Sequence, residues 1–341
     1  MPPTLGVGIY GAGNVSHEHI RAYQKNPATE VVAICSRTLE GASARASEFD
    51  LAARIYDDYD VMLADPGVEV VSICTPHHLH AAGAIKAARA GKHILVEKPI
   101  GLNLQQLIAM RDAVAQNRVK SVASFVLRWN PLVETMKALI ADDSLGQLLM
   151  IQVDYWNFDR HGYREAYRGN RKELAGSAFL TGGCHAVDTA RWLVGSEAVE
   201  VTAYSTSANP FSEFDPSIVA IVKFANGCVA TLTTCLEAPI PYVFNLEILG
   251  HKGAIRNNTL FTHKLPGQTD FATIPTVIPG SADVATHPFQ SEIDHFIRCI
   301  QQDVESHVNI ADAVKTHEIC LAADLSATEG CSVKLPLAGS G

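Results

Sequence analysis

The residues near the N-terminus that could do chemistry are a glycine cluster. Gly11-Ala12-Gly13-Asn14-Val15-Ser16 follows the apolar run Leu5 to Tyr10 and leads into a helical stretch through His19, Ile20 and Tyr23. A strand that turns on glycine into a helix offers backbone N–H groups and the positive end of a helix dipole to an anion, the arrangement that holds a dinucleotide pyrophosphate. Gly11 would make the tight turn, Gly13 would let the backbone approach the phosphates, Asn14 and Val15 would line the loop, and Ser16 is the small residue at the helix contact. A literal G-x-G-x-x-G occurs at Gly6 to Gly11, but that register would put the turn inside the strand and is rejected. About 20 residues beyond the glycines, where an NAD-selective domain usually places an acid against the ribose, stand Ser36, Arg37 and Thr38. Hydroxyls and a guanidinium suit a 2′-phosphate, so NADP is expected ahead of NAD, unless Arg37 merely stacks on the adenine. His17, His19, His77, His78 and His80 fall on two different turns with no completing carboxylate or thiolate, and the eight cysteines form no C-x-x-C pair. No metal is expected, and the thiols read as reduced residues of a cytoplasmic protein.

These residues need elements to position them. Leu5 to Tyr10, Val31 to Ser36, Val70 to Thr75, His93 to Val96 and Ser121 to Val126 are β-branched runs that alternate with helical stretches, such as Ala81 to Ala90 stopped by Gly91. Such alternation predicts βαβ units and a doubly wound parallel sheet, whose strands bind ligands at their carboxyl ends; Thr75 and Lys98 lie at two such ends. After about Arg128 the rhythm changes to a helix at Pro131 to Ala141, then to strands. Val219 to Ala225 and Cys228 to Leu236, joined by Asn226-Gly227, predict a hairpin. Phe244 to Leu249 and Ala254 to Asn257 extend an antiparallel sheet, and Glu292 to Gln301 is an amphipathic helix. The fold class is therefore α/β, with a dinucleotide-binding Rossmann domain at 1–127 and an α+β domain at 128–341. A length of 341 residues agrees with two cores. The net charge of -9 disfavours nucleic acid, and no apolar run reaches the roughly 20 residues of a membrane span. Met1-Pro2-Pro3-Thr4 lacks the basic start of a secretion leader, so secretion is not expected.

Three stretches resemble the glucose/fructose oxidoreductase and inositol dehydrogenase family (Gfo/Idh/MocA): Gly11 to His19, Cys74-Thr75-Pro76-His77-His78-Leu79-His80, and Ala90 to Pro99 with its Glu97-Lys98-Pro99. A fourth, Gly176 to Asp188, resembles the family's second-domain motif, with His185 after a glycine and three residues before Asp188. The resemblance implies a Rossmann domain joined to an open-faced antiparallel sheet used for assembly into a homodimer or homotetramer. It implies a dehydrogenase or reductase acting on the CH–OH group of a sugar, polyol or sugar derivative. Thr75, Pro76, His77, His80, Glu97 and Lys98 would then contact the cofactor.

Oxidising an alcohol requires a base for the hydroxyl proton and a group that stabilises the developing alkoxide. By similarity, Lys98 would hydrogen-bond the reacting oxygen, with Glu97 holding Lys98 in place, and His185, an imidazole that titrates near neutral pH, would shuttle the proton. Pro99 would fix the turn, with a cis peptide before it. The family often has Asp four residues before its catalytic His; here that residue is Thr181, so Asp188 is expected to take over the orienting role. His77 departs likewise, standing where Asn is common. Arg128, Trp156, Tyr163, Thr181 and His185 are the substrate-contact candidates, the Tyr- and Arg-rich segment around Tyr163 reading equally as a surface loop or an oligomer contact. Two alternatives are an NAD-dependent glycosidase of the same fold and a non-catalytic regulator that senses dinucleotide or sugar.

Overall fold

The computed structural model describes residues 4–276, 279 and 284–339; Met1, Pro2 and Pro3, on which the expectation about a leader rests, lie outside the described residues. The chain divides into two compact units, Met1–Val126 with Pro288–Val314, and Leu127–His287 with Lys315–Gly341.

The first unit carries β1 (Leu5–Tyr10), β2 (Thr29–Cys35), β3 (Arg54–Tyr56), β4 (Val70–Ile73), β5 (His93–Val96) and β6 (Ser121–Ala123), alternating with α1 (Ser16–Lys25), α2 (Leu39–Glu48), α3 (Tyr59–Ala64), α4 (His80–Arg89) and α5 (Leu104–Asn117). All six strands are parallel, in the order β3-β2-β1-β4-β5-β6. The order reverses beside β1, which opens a crevice at the carboxyl ends of β1 and β4. Val7, Ile9, Val31, Val70, Val71, Ile73, Ile94 and Leu95 are all buried, as near-continuous apolar strands must be when a parallel sheet is covered on both faces. Gly6 and Gly8 lie within β1, so the register that begins at Gly11 is the one that turns.

In the second unit α6 (Pro131–Ala141) matches the expected helix, and Asn130 caps it by accepting the Leu132 N–H. There follow β7 (Leu148–Trp156), α7 (Lys172–Ala175), α8 (Cys184–Val194), β8 (Ala198–Thr206), β9 (Ser217–Phe224), β10 (Val229–Cys235), β11 (Val243–Gly250), β12 (Gly253–Arg256), β13 (Thr259–Thr262) and β14 (Ala272–Thr273). With β15 (Val333–Lys334) they form one sheet, ordered β14-β13-β12-β11-β7-β10-β9-β8-β15 and antiparallel except where β10 meets β7. The expected hairpin is β9 and β10, with Val229 opposite Lys223. Along β9, Ile218, Ala220, Val222 and Phe224 are buried while Val219 and Ile221 are exposed, so one sheet face packs inward and the other stays open. α9 (Phe289–Gln302) belongs to the first unit and packs on α1; α10 (Ile310–Glu329) completes the chain's helices among the described residues. None of these is long and apolar enough to cross a membrane.

Candidate active site

At the β1 exit, Gly11 has φ +105°, and a Cβ there would stand 2.6 Å from the Cys74 carbonyl oxygen, so the turn against β4 accepts only glycine. Gly13 has no neighbour nearer than 3.7 Å to such a Cβ and leaves the approach open. Val15 is the N-cap of α1, Asn14 is exposed beside it, and the buried Ser16 hydroxyl donates to the Gly13 carbonyl at 2.7 Å. The first N–H groups of α1 thus face the open side of a glycine turn, the geometry that suits a pyrophosphate. Arg45, on α2, donates to the carbonyls of Ala12 at 3.0 Å and Gly13 at 3.2 Å. Nothing local marked it, because the contacts span more than thirty residues. At the tip of β2, Ser36 donates to the Thr38 carbonyl at 2.8 Å and Thr38 caps α2 by accepting the Gly41 N–H, while Arg37 is exposed.

Two strands away, the turns after β4 and β5 are tied together. His80 is buried with Nε2 2.7 Å from the Thr75 carbonyl and Nδ1 2.7 Å from the Pro99 carbonyl. Burial pulls the ring below the usual imidazole range, although both carbonyls favour its protonated form. The Thr75 hydroxyl oxygen is buried with no hydrogen-bond partner among the described residues, an orphan at the strand exit that a bound polar group would satisfy. Pro76 leads into a short 3-10 turn, His77–Leu79, with the His77 ring 5.8 Å from that of His80. The Lys98-Pro99 peptide is cis. Glu97 is buried; its Oε2 accepts the Lys98 N–H at 3.2 Å and its Oε1 lies 3.0 Å from His19 Nε2. Burial pushes the Glu97 carboxyl up, but the His19 hydrogen bond and the charges of His19, Lys98 and His80 bring it below the usual range. Lys98 itself is half-buried.

In the second unit, a π-helical turn, Phe179–Gly183, runs into α8, whose first turn carries the buried His185. The His185 ring neighbours Tyr155 on β7, with centroids 6.3 Å apart, and His287, at 6.4 Å, both within 30° of parallel. Tyr242 meets Tyr155 edge-on at 5.5 Å. These three aromatic neighbours went unrecognised in the sequence, because they come from segments far apart in the chain. The Thr181 hydroxyl donates to the Ala175 carbonyl at 3.2 Å. Asp188 is turned to Arg128, which reaches it through Nε at 2.7 Å and Nη2 at 2.6 Å, and it also accepts from Thr316 at 3.0 Å. Arg128 lies over Trp192, so Arg128 and Asp188 are brought together in a buried pair. Trp156 donates to Thr233 at 2.8 Å and, one residue beyond Tyr155 on β7, points to the opposite face of the sheet from His185. Tyr163 donates to the Glu237 carbonyl at 3.1 Å and packs on Phe158. Among the described residues no group of three or more His, Cys, Asp or Glu side chains could hold a metal ion.

Residues 5–125 match the oxidoreductase family with an NAD-binding Rossmann fold, and residues 133–256 match the GFO/IDH/MocA C-terminal domain. Levoglucosan dehydrogenase of Pseudarthrobacter phenanthrenivorans is 29% identical over 328 residues, covering 84% of this chain and 82% of that protein. The NAD(+)-dependent scyllo-inositol 2-dehydrogenase of Bacillus subtilis is 26% identical over 340 residues, covering 98% and 97%. A solved levoglucosan dehydrogenase in complex with NADH superposes with a TM-score of 0.89 at 26% identity, over 98% of this chain and 99% of that one. With a parallel sheet and a glycine turn in the first unit, a mostly antiparallel sheet in the second, and matches that span more than half its length, the chain belongs to the GFO/IDH/MocA family of oxidoreductases.

Proposed function

We propose that the chain transfers a hydride between a nicotinamide dinucleotide and a hydroxyl-bearing carbon of a sugar, polyol or sugar derivative. The observation that carries this reading is the Lys98 corner, where a lysine follows a parallel strand on a peptide held by a buried glutamate, and where His80 ties that turn to the one that carries the orphaned Thr75 hydroxyl. The names of the relatives, levoglucosan and inositol dehydrogenases, support a polyhydroxylated substrate. Gly11, Gly13, Asn14, Val15 and Ser16 would hold the pyrophosphate; Thr75, Pro76, His77, His80 and Glu97 would shape the nicotinamide side. The bound dinucleotide supplies the hydride acceptor or donor. Lys98 donates a hydrogen bond to the reacting oxygen and stabilises it as it gains negative charge. His185 takes the hydroxyl proton, or returns it in the reverse direction. The near-parallel rings of Tyr155 and His287 beside it restrict how far its plane can turn.

A screen of inositols, aldoses and anhydro sugars with NAD and NADP in both directions, read as nicotinamide absorbance, tests this proposal. Wild type is expected to turn over at least one compound, and Lys98→Met to lose at least about 100-fold in kcat, the scale of one lost transition-state hydrogen-bond donor. Equal turnover by the two proteins would remove Lys98 from the mechanism.

We also propose NADP ahead of NAD. Support comes from the exposed Arg37 and from the lack of a carboxylate among Cys35, Ser36, Arg37 and Thr38 at the β2 tip; the hydroxyls of Ser36 and Thr38 are engaged locally, which leaves the discrimination to Arg37. The relatives named with NAD(+) and NADH pull the other way. Arg37→Ala is therefore expected to lower the NADP-to-NAD ratio of kcat/KM by about 10-fold or more, the worth of a charge-assisted hydrogen bond. An unchanged ratio would return Arg37 to adenine stacking. The open sheet face, with Tyr204, Val219 and Ile221 exposed, supports a homodimer or homotetramer, and the scattered, mostly buried cysteines support a cytoplasmic location.

A further inference from the structure

Behind Lys98 and Glu97 the first unit buries two further polar side chains, His19 and Glu292, that the proposed chemistry does not itself use. His19 on α1 is fully buried, with Nδ1 2.7 Å from the Ser72 hydroxyl on β4 and Nε2 3.0 Å from Glu97 Oε1. Glu97 spends its other oxygen on the Lys98 N–H at 3.2 Å. Glu292 on α9 is also fully buried; it accepts the Ser124 hydroxyl at 3.0 Å through Oε2, while Oε1 has no hydrogen-bond partner among the described residues. Burying an imidazole and two carboxyls costs free energy that apolar residues of equal volume would not cost, so stability alone does not account for them. The contacts have a direction. Ser72 orients the His19 ring, the ring meets Glu97, and Glu97 meets the peptide from which the Lys98 side chain projects.

We propose that His19 is a positioning residue for hydride transfer, acting through Glu97 on Lys98, a role that rests on Lys98 meeting the reacting oxygen as the proposed function requires. Burial works against a charge on His19, but Cys74 and Glu97 beside it outweigh burial and hold the ring well above the usual imidazole range. Glu97 is held below the usual carboxyl range. The two therefore meet as cation and anion, a charge-assisted bond roughly twice as strong as a neutral one and correspondingly better at fixing a geometry. Geometry at a reacting group is where small displacements cost most: about 1 Å of misplacement costs on the order of 100-fold in rate.

Two amides of different reach separate this role from a merely structural one. The amide of His19→Gln spans to Glu97 and can donate to it, whereas His19→Asn keeps only the Ser72 side. His19→Asn is expected to lose about 10- to 100-fold in kcat with KM for substrate and dinucleotide within about threefold, and His19→Gln to stay within about fivefold of wild type. A readout independent of turnover uses the protein without added dinucleotide: the rate at which acetic anhydride modifies Lys98, followed by mass spectrometry with Lys25 as an exposed reference. His19→Asn should change the Lys98 rate at least about threefold and leave Lys25 unchanged, whereas His19→Gln should keep both. In a Lys98→Met background His19→Asn should cost nothing further, because residues acting as one unit are not additive. If Lys98→Met is inactive but His19→Asn leaves Lys98 reactivity unchanged, or costs the same factor in both backgrounds, the positioning role falls and the proposed function stands. If Lys98→Met is as active as wild type, Lys98 leaves the mechanism and the positioning role falls with it, while the proposed hydride transfer stands; that reading falls if wild type turns over no compound in the screen. Should His19→Asn fail to fold, Glu97→Gln carries the same labelling test, since the amide no longer pairs with a charged ring.

Discussion

Arg128 and Asp188 stand where a substrate contact and the residue that orients His185 were expected, and their side chains spend their charges on each other. A guanidinium and a carboxylate meet through two bonds, of 2.6 and 2.7 Å, with both side chains 2% exposed or less and Trp192 against the cation. In such a place removing one partner leaves a buried charge uncompensated, which costs about 3–5 kcal/mol, whereas replacing both by apolar residues is often neutral. Asp188→Asn is accordingly expected to lower Tm by about 10 °C for a unit of this size. The pair Arg128→Met with Asp188→Leu should recover most of that loss. A residue that only orients His185 would give the opposite pattern, with Tm intact and kcat lost. Thermal unfolding and kinetics on the same preparations decide between them. The Asp188 carboxylate also accepts from Thr316, so its orientation is fixed from α10 as well as from Arg128.

At the scale of elements, the turn that delivers His185 is built on two small residues. π-helical turns are rare and concentrate at functional sites, and here one ends at Gly182 and Gly183 immediately before α8. A Cβ on Gly183 would stand 2.0 Å from Thr234 Oγ1 and 2.6 Å from the Phe179 ring, so the close approach of the turn to β10 requires glycine. Gly183→Ala is expected to cost about 1–3 kcal/mol by overpacking and to lower kcat through His185 two residues on. Adding Thr234→Ala removes the nearest obstructing atom and should restore part of both; a double variant no better than the single one would clear Thr234. Neither the π turn nor its glycines' packing was legible in the sequence, where the same residues read only as a motif around a histidine. The parallel strands were legible because β1, β2, β4, β5 and β6 are buried runs rich in Val and Ile, and apolar content of that kind survives without context. β3 was not, since a three-residue strand with Ile55 as its only aliphatic residue carries no period. The Gly11 turn and Glu97-Lys98-Pro99 could be read because each is contiguous. His19 to Ser72, His19 to Glu97 and Ser124 to Glu292 span 53, 78 and 168 residues, and no local pattern links residues so far apart.

The longest of these links reflects how the whole chain is laid out. After building most of the second unit it returns to the first with Pro288–Val314, and α9 comes back carrying Ile293, Phe296 and Ile297 for the core together with Glu292. Asn26 donates to Asp294 at 2.7 Å and Gln290 to the Ala22 carbonyl at 3.2 Å, which fastens α9 to the end of α1. Stability of the first unit is therefore coupled to the protonation of a carboxyl that arrives late in the sequence. Burial, with Glu97 pushing the same way against His19 and Ser124, raises Glu292 to about 8 from 4.5. Between those values the native chain keeps a proton that the unfolded chain has given up. Stability changes with pH as the protons bound by the unfolded state minus those bound by the native state, so here it falls as pH rises. The stabilisation linked to Glu292 is whole below about pH 4.5 and lost as pH climbs through about 8. His19, also raised, has the same sign, starting from 6.5. Glu97 and His80, both lowered, have the opposite sign, and their stabilisation is lost on the acid side. Tm is therefore expected to peak near about pH 6 and to fall by about 5 °C or more toward pH 9, at roughly 2–4 °C per kcal/mol. Glu292→Gln removes the titrating proton. It should be no more stable than wild type at pH 6 and should gain on it steadily as pH rises. Tm measured across that range on both proteins checks the coupling: parallel curves would mean that Glu292 does not hold a proton in the folded chain, while converging or crossing curves would place the proton on α9.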